Sequence, residues 1–259
     1  MRRNSRAAPD GGTVDHKRDS ILNANTTPGA RPATARCGTT GRWILIAVLA
    51  LAGVSARAAD DDPFAINARL LASMRNDDGA GVSRALRDGA AVNSRNRLGE
   101  SALLMALKKD RADLAQLVLD AGADVNEPAV NGVTPLMAAA FAGNVDLVKV
   151  LLARGADVVP ADRIGKTAIT YAAGEGHTAI VRLLLEKGVD PNAVYRNDLT
   201  ALMWAAGYGK TDTVRALIDA GARVDAVDNR GKTALDMARE YQHAPTVEVL
   251  EQAQRTARK

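Results

Sequence analysis

Apolar and small residues return along the chain at a fixed interval. The strings "TPLMAAAFAG" (134–143), "TAITYAAGEG" (167–176) and "TALMWAAGYG" (200–209) lie 33 residues apart. Each opens on Thr, runs through apolar and small positions, and stops at Gly, which predicts a short capped helix. The Thr oxygen can accept from the early N–H groups that a helix leaves unbonded. Pro135 suits the first helical position, where its missing donor costs little. A second apolar stretch follows at helical spacing: Leu147, Val148, Leu151 and Leu152, then Ile180, Val181, Leu184 and Leu185. Each unit therefore predicts two short helices and a turn.

Three columns fix the register. Gly89, Gly122, Gly155, Gly188 and Gly221 close the second helix, where a left-handed residue ends it and side chains resist that conformation. Ser101, Thr134, Thr167, Thr200 and Thr233 open the first helix. Gly99, Gly132, Gly165, Asp198 and Gly231 sit in the turn between units; Asp198 is among the non-glycines that tolerate that turn best. Five coincidences without an insertion identify a repeat array, not a chain closing on one centre. The alanine pairs Ala139-Ala140, Ala172-Ala173 and Ala205-Ala206 leave room for helices to approach closely.

The segment "NGVTPLMAAAFAGNVDLVKVLLARGADV" (131–158) resembles the ankyrin repeat family along its whole length, and the resemblance extends over about 64–259. It implies an all-α solenoid of paired antiparallel helices with short hairpin-like loops. The repeats fall at about 64–98, 99–130, 131–163, 164–196, 197–229 and 230–259, within a domain spanning 59–259. The family places His after its Thr-Pro-Leu, but this chain has Leu104, Met137, Thr170, Met203 and Asp236 there. Apolar packing is expected to replace that histidine's hydrogen bonds. Polar residues at the outer faces of the end units, Arg84 and Glu251, suit the exposed ends of a solenoid.

Charge changes the picture of the partner. Residues 1–58 hold nine Lys/Arg and three Asp/Glu, so of the chain's 34 bases and 30 acids the remainder keeps 25 and 27. The basic character belongs to the leader, which argues against nucleic acid as a partner. Within the leader, Arg42 precedes an apolar run from Trp43 to Val54, followed by Ala56-Arg57-Ala58. That order is expected of a secretory signal peptide cleaved after Ala58, since the run falls short of the roughly 20 apolar residues that span a bilayer. The expected location is the bacterial periplasm or the exterior, as a secreted protein; an uncleaved segment tethering the chain to the inner membrane is the alternative. The only cysteine, Cys37, lies before the run, so the mature chain offers no disulfide or thiol chemistry.

Catalytic chemistry finds little to stand on: no Cys–His pair, no H-x-x-x-H, and no phosphate-cradling loop. No cofactor, metal or catalytic residue is expected; an enzyme or metal site hidden in the groove is the remote alternative. His177 and His243 precede second helices and are expected to cap them. Asp124, Asp157 and Asp190 read as turn residues, and Asp60-Asp61-Asp62 as a solvated segment. The resemblance implies instead that the hairpin tips and first helices line a concave face. Residues carried over to the tips include six bases and one acid, Glu100, so a locally positive groove is expected to steer an acidic protein partner. The expected protein-binding residues are Phe141, Arg163, Lys166, Arg196, Trp204, Tyr208, Arg230 and Lys232, in a non-catalytic scaffold acting as a monomer.

Overall fold

The computed structural model describes residues 62–257. The leader, its cleavage point, Cys37, Asp60 and Asp61 lie outside the described residues. Among those described there are twelve α-helices and no strands, in six helix–turn–helix pairs. α1 (Pro63–Arg75) pairs with α2 (Gly79–Arg87), α3 (Ala102–Lys108) with α4 (Ala112–Asp120), and α5 (Pro135–Ala142) with α6 (Val145–Ala153). α7 (Ala168–Glu175) then pairs with α8 (Thr178–Glu186), α9 (Ala201–Gly207) with α10 (Thr211–Asp219), and α11 (Ala234–Glu240) with α12 (Ala244–Ala257). The all-α repeat solenoid that the resemblance implied is what the chain forms.

The caps do what the hydroxyl column implied. Ser101, Thr134, Thr200 and Thr233 each accept from the N–H three residues on, a bond whose loss costs about 1 kcal/mol. Thr167 departs from the pattern: Thr170 Oγ1 accepts its N–H at 2.8 Å and donates to its carbonyl at 2.9 Å. This corrects the expectation that apolar packing replaces the family's histidine throughout. Asp236 Oδ2 likewise accepts from the Thr233 N–H at 2.9 Å and from its hydroxyl at 2.7 Å. Met137 offers only a sulfur at 3.5 Å from the Thr134 nitrogen, while Leu104 and Met203 are buried apolar side chains. In the Thr170 and Asp236 repeats a side-chain oxygen three residues on reaches the backbone nitrogen of the N-cap threonine.

The stop glycines are needed for backbone, not for space. The five of the first column have φ between +85° and +93°, and an added Cβ would meet nothing within 4 Å at any of them. At Gly155 the 6→1 bond from Ala156 N–H to Leu151 C=O and the bond from Gly155 N–H to Leu152 C=O close the helix. Asp198 holds the left-handed conformation expected of it, φ +59°, and Asn197 beside it does so too.

No repeat could bury its apolar face alone. The substantial helix contacts all run within a pair or between adjacent pairs. First helices touch their counterparts across repeats more extensively than second helices do, because Ala139, Ala140, Ala172, Ala173, Ala205 and Ala206, all fully buried, lie between them. The first helices therefore form the closer-packed row of the array. Both rows contribute large buried side chains, Leu136, Met137 and Ile169 from first helices and Leu151, Ile180, Leu184 and Leu217 from second helices. Phe64, by contrast, stands 85% exposed at the start of α1, while Ile66, Leu70 and Met74 carry that helix's packing.

A second column, of asparagines, stitches the loops. Asn126 Oδ1 accepts from Asp157 N–H at 2.8 Å and its Nδ2 donates to Gly155 C=O at 3.1 Å. Asn192 repeats both bonds to Arg223 and Gly221, and Asn93 makes the first to Asp124. Val159 occupies this column between them, 77% exposed, with its own N–H bonded to Asp157 Oδ1 as Asn126 is to Asp124. Val159→Asn should therefore reach the Asp190 N–H and Gly188 C=O. The expected gain is about 1 kcal/mol in urea unfolding; an unchanged or lowered midpoint would show that this junction is spaced differently from its neighbours.

Candidate functional site

The hairpin tips are held in line by the backbone itself. Val130 N–H donates to Leu98 C=O, Arg163 N–H to Asn131 C=O, and Asn229 N–H to Asn197 C=O, all at 3.0–3.1 Å. At the remaining junction the Arg196 guanidinium donates to Arg163 C=O instead, at 3.4 Å, and its stem lies over Gly165. Three of the five tips are shaped from within by a short polar side chain, where the other two have Ala129 and Tyr195. Asp162 Oδ1 accepts from the Ile164 and Lys166 N–H groups, Asp228 Oδ1 from Arg230 and Lys232, and Asn96 Oδ1 from Leu98 and Glu100. Sequence reasoning missed this column, although an Asx residue three positions before the turn glycine is its signal.

Four of the expected binding residues gather around the fourth and fifth repeats. Lys166 Nζ lies 4.2 Å from the Trp204 ring centre and 5.1 Å from that of Tyr171. Trp204 and Tyr208 stack at 6.0 Å with an 11° interplanar angle, and Phe141 meets Tyr171 edge-on at 5.8 Å. Tyr171 is fixed by a 2.6 Å bond from its hydroxyl to Asp162 Oδ2. Burial, with the adjoining Asp162 carboxylate, raises its phenol well above the ordinary tyrosine range. Tyr171 and Trp204 are half-buried, whereas Phe141 and Tyr208 are about half exposed. Each ring–cation contact contributes about 0.5–1 kcal/mol at such exposure, enough to orient the Lys166 ammonium without removing it from solvent.

Not every base of the expected groove carries its charge outward unopposed. Arg230 Nη2 lies 2.8 Å from Asp228 Oδ2, and Lys232 Nζ 2.5 Å from Glu240 Oε2. Arg163, Lys166 and Arg196 have no carboxylate within 4 Å among the described residues. Arg97, at the end of the first repeat, is likewise without a carboxylate within 4 Å among the described residues, and the other three run from the end of the third repeat through the fourth. Beside it, Leu199, Met203, Trp204, Tyr208, Met237 and Tyr241 wall a cleft of about 440 Å³ between α9 and α11, with Arg230 and His243 at its edge. Sequence reasoning did not single out Met203 or Met237 for this site, and it ranked Tyr241 behind Phe141 and Tyr208. The tip residues Leu98, Val130 and Ile164, carried over with the other hairpin tips from the sequence, are exposed apolar side chains.

The histidines differ from expectation. Both occupy the position before a second helix, yet His177 makes no side-chain bond to the helix it precedes. Its Nε2 reaches back to Phe141 C=O, and the His243 Nε2 to Gly207 C=O, each at 3.0 Å. The His177 ring lies where a Cβ on Gly143 would stand, so the imidazole bonds one repeat to the next in place of capping. Asp124, Asp157 and Asp190 accept from the N–H two residues on, as turn residues do. Among the described residues no group of three or more His, Cys, Asp or Glu could hold a metal ion, and no helix is long and apolar enough to cross a membrane.

The family model described as Ankyrin repeats (3 copies) matches residues 69–162, 126–195 and 187–257, which together cover most of the chain. No curated protein matches it.

Asp228 connects the site to acid stability. Burial pushes its carboxyl up, but the Lys232 and Arg230 N–H groups and the Arg230 guanidinium outweigh that and hold it below the ordinary range. A folded value below the unfolded one of about 3.9 gives stability that is present above that pH and lost as pH falls through the folded value. Asp228→Asn should lower stability at neutral pH and lose less on going from about pH 5 to about pH 3 in urea titrations. Equal acid losses in both proteins would remove Asp228 from that account.

Proposed function

The chain belongs to the ankyrin repeat family, and from that premise we propose that it is a non-catalytic scaffold that binds another protein through its concave flank. Arrays of this family are generally protein–protein interaction modules. What carries the reading here is the juxtaposition around the fourth repeat: three cations with no carboxylate within 4 Å among the described residues, set beside exposed aromatic rings. Aromatic and Arg side chains are the usual anchors of interfaces, and an array already rigid loses little freedom on docking. The partner's complementary surface is acidic, and one array binds it as a monomer.

The leader supports a place for this binding. A basic residue, a short apolar run and an Ala-x-Ala ending fit export to a bacterial periplasm with cleavage after Ala58. Mass spectrometry of the exported protein should find Ala59 at its start; a chain retaining Met1–Ala58 would point to the tethered form.

The binding reading is tested by reversing charge where it is unopposed. A chain carrying Arg163→Glu, Lys166→Glu and Arg196→Glu should keep its helical circular dichroism and lose capture of the partner from periplasmic extract. Capture by the parent chain should also weaken as salt rises, since exposed charges are screened over about 10 Å at 0.1 M. Capture undiminished by the reversal would contradict the positive flank.

A further inference from the structure

Building on that protein-binding reading, we propose that the partner contributes an extended peptide segment, with one apolar or aromatic side chain in the cleft between α9 and α11 and carboxylates over Lys166 and Arg196. The cleft, at about 440 Å³, lies near the lower end of the range for ligand pockets. Its walls are thioether, aliphatic and aromatic, and they are open: Tyr208 and Tyr241 are 55% and 60% exposed. The one cation at its edge, Arg230, already holds Asp228, so the cleft itself selects an apolar group. Carboxylate recognition falls one repeat back, on cations that no carboxylate of the described chain satisfies.

Trp204 belongs to both halves. It lines the cleft and carries Lys166 Nζ 4.2 Å from its ring centre, so anchor and acid are read side by side. Arg196, with its stem over Gly165 and its guanidinium at Arg163 C=O, is held at the tip and not swung away along the loop. Packed helices lie about 8–10 Å apart and an extended chain advances about 3.3 Å per residue. The anchor and the nearest carboxylate of the peptide are therefore separated by about three residues. A small anion leaves the apolar walls unused, and a flat protein surface reaches the cations but not the cleft floor formed by Met203 and Met237, both buried.

The test is a selection of random peptides displayed on phage against the immobilised full chain, followed by titration of synthetic copies by fluorescence anisotropy. Enriched peptides should share a large apolar residue about three positions from Asp or Glu. Tyr208→Ala, Tyr241→Ala and Arg196→Glu, all at exposed positions, should each weaken binding at least about tenfold with helical dichroism retained. Enrichment without that pairing, binding indifferent to these variants, or no enrichment at all overturns the proposal. A folded partner whose capture is lost on reversing Arg163, Lys166 and Arg196 but survives Tyr208→Ala and Tyr241→Ala overturns the peptide and leaves the protein-binding reading standing. Capture indifferent to both sets overturns both.

Discussion

The close approach of neighbouring first helices is the constraint on which everything else in this chain depends. Fully buried alanines on α5, α7 and α9 let these helices meet, and the second helices then bring Leu151, Ile180, Leu184 and Leu217 into the space behind them. Burying one such side chain contributes about 1.5–3 kcal/mol, and it is buried only when the next repeat is in place. A larger residue in the alanine columns would hold the first helices apart and leave the second helices without cover. The order of repeats along the chain is in this sense the core of the protein.

Polar contacts refine that stack without creating it. An exposed ion pair such as Lys149–Asp146 contributes between nothing and about 1 kcal/mol, well below one buried leucine. The stitches matter because they recur with the repeat: asparagine to the next loop, histidine to the preceding first helix, and the backbone bonds linking tip to tip. Together they fix the rotation of each unit relative to the last. That rotation places Lys166 of the fourth repeat over Trp204 of the fifth, so the geometry of the candidate site follows from the packing of the array.

Much of this was legible in the sequence, for a physical reason. Helix stops demand left-handed backbone and caps demand a short hydroxyl, so Gly155 and Thr134 announce their roles by residue type alone. Side chains acting across repeats do not. His177 occupies a capping position yet bonds Phe141, 36 residues away, and nothing in its local sequence separates the two uses. Thr170 and Asp236 make polar bonds where apolar packing was expected, because an oxygen three residues on reaches the N-cap threonine's nitrogen, which a hydrophobicity pattern does not register. The tips showed the same blindness in charge. Six bases were countable, but the pairing of Arg230 with Asp228 and Lys232 with Glu240 depends on loop and helix geometry, and it moves the positive centre toward Arg163, Lys166 and Arg196.

If stability resides in contacts between nearest neighbours, a whole internal repeat is dispensable. Deleting residues 131–163 would join Val130 to Ile164 in register. Asn126, which now bonds Gly155 and Asp157, would then face Gly188 and Asp190, residues of the same type 33 positions later. Urea unfolding of the shortened chain, followed by circular dichroism, tests the account most directly. It should keep the same helical signal per residue and a cooperative transition at lower denaturant. A chain that loses its helical signal on removal of that one repeat would contradict a fold built only from neighbours.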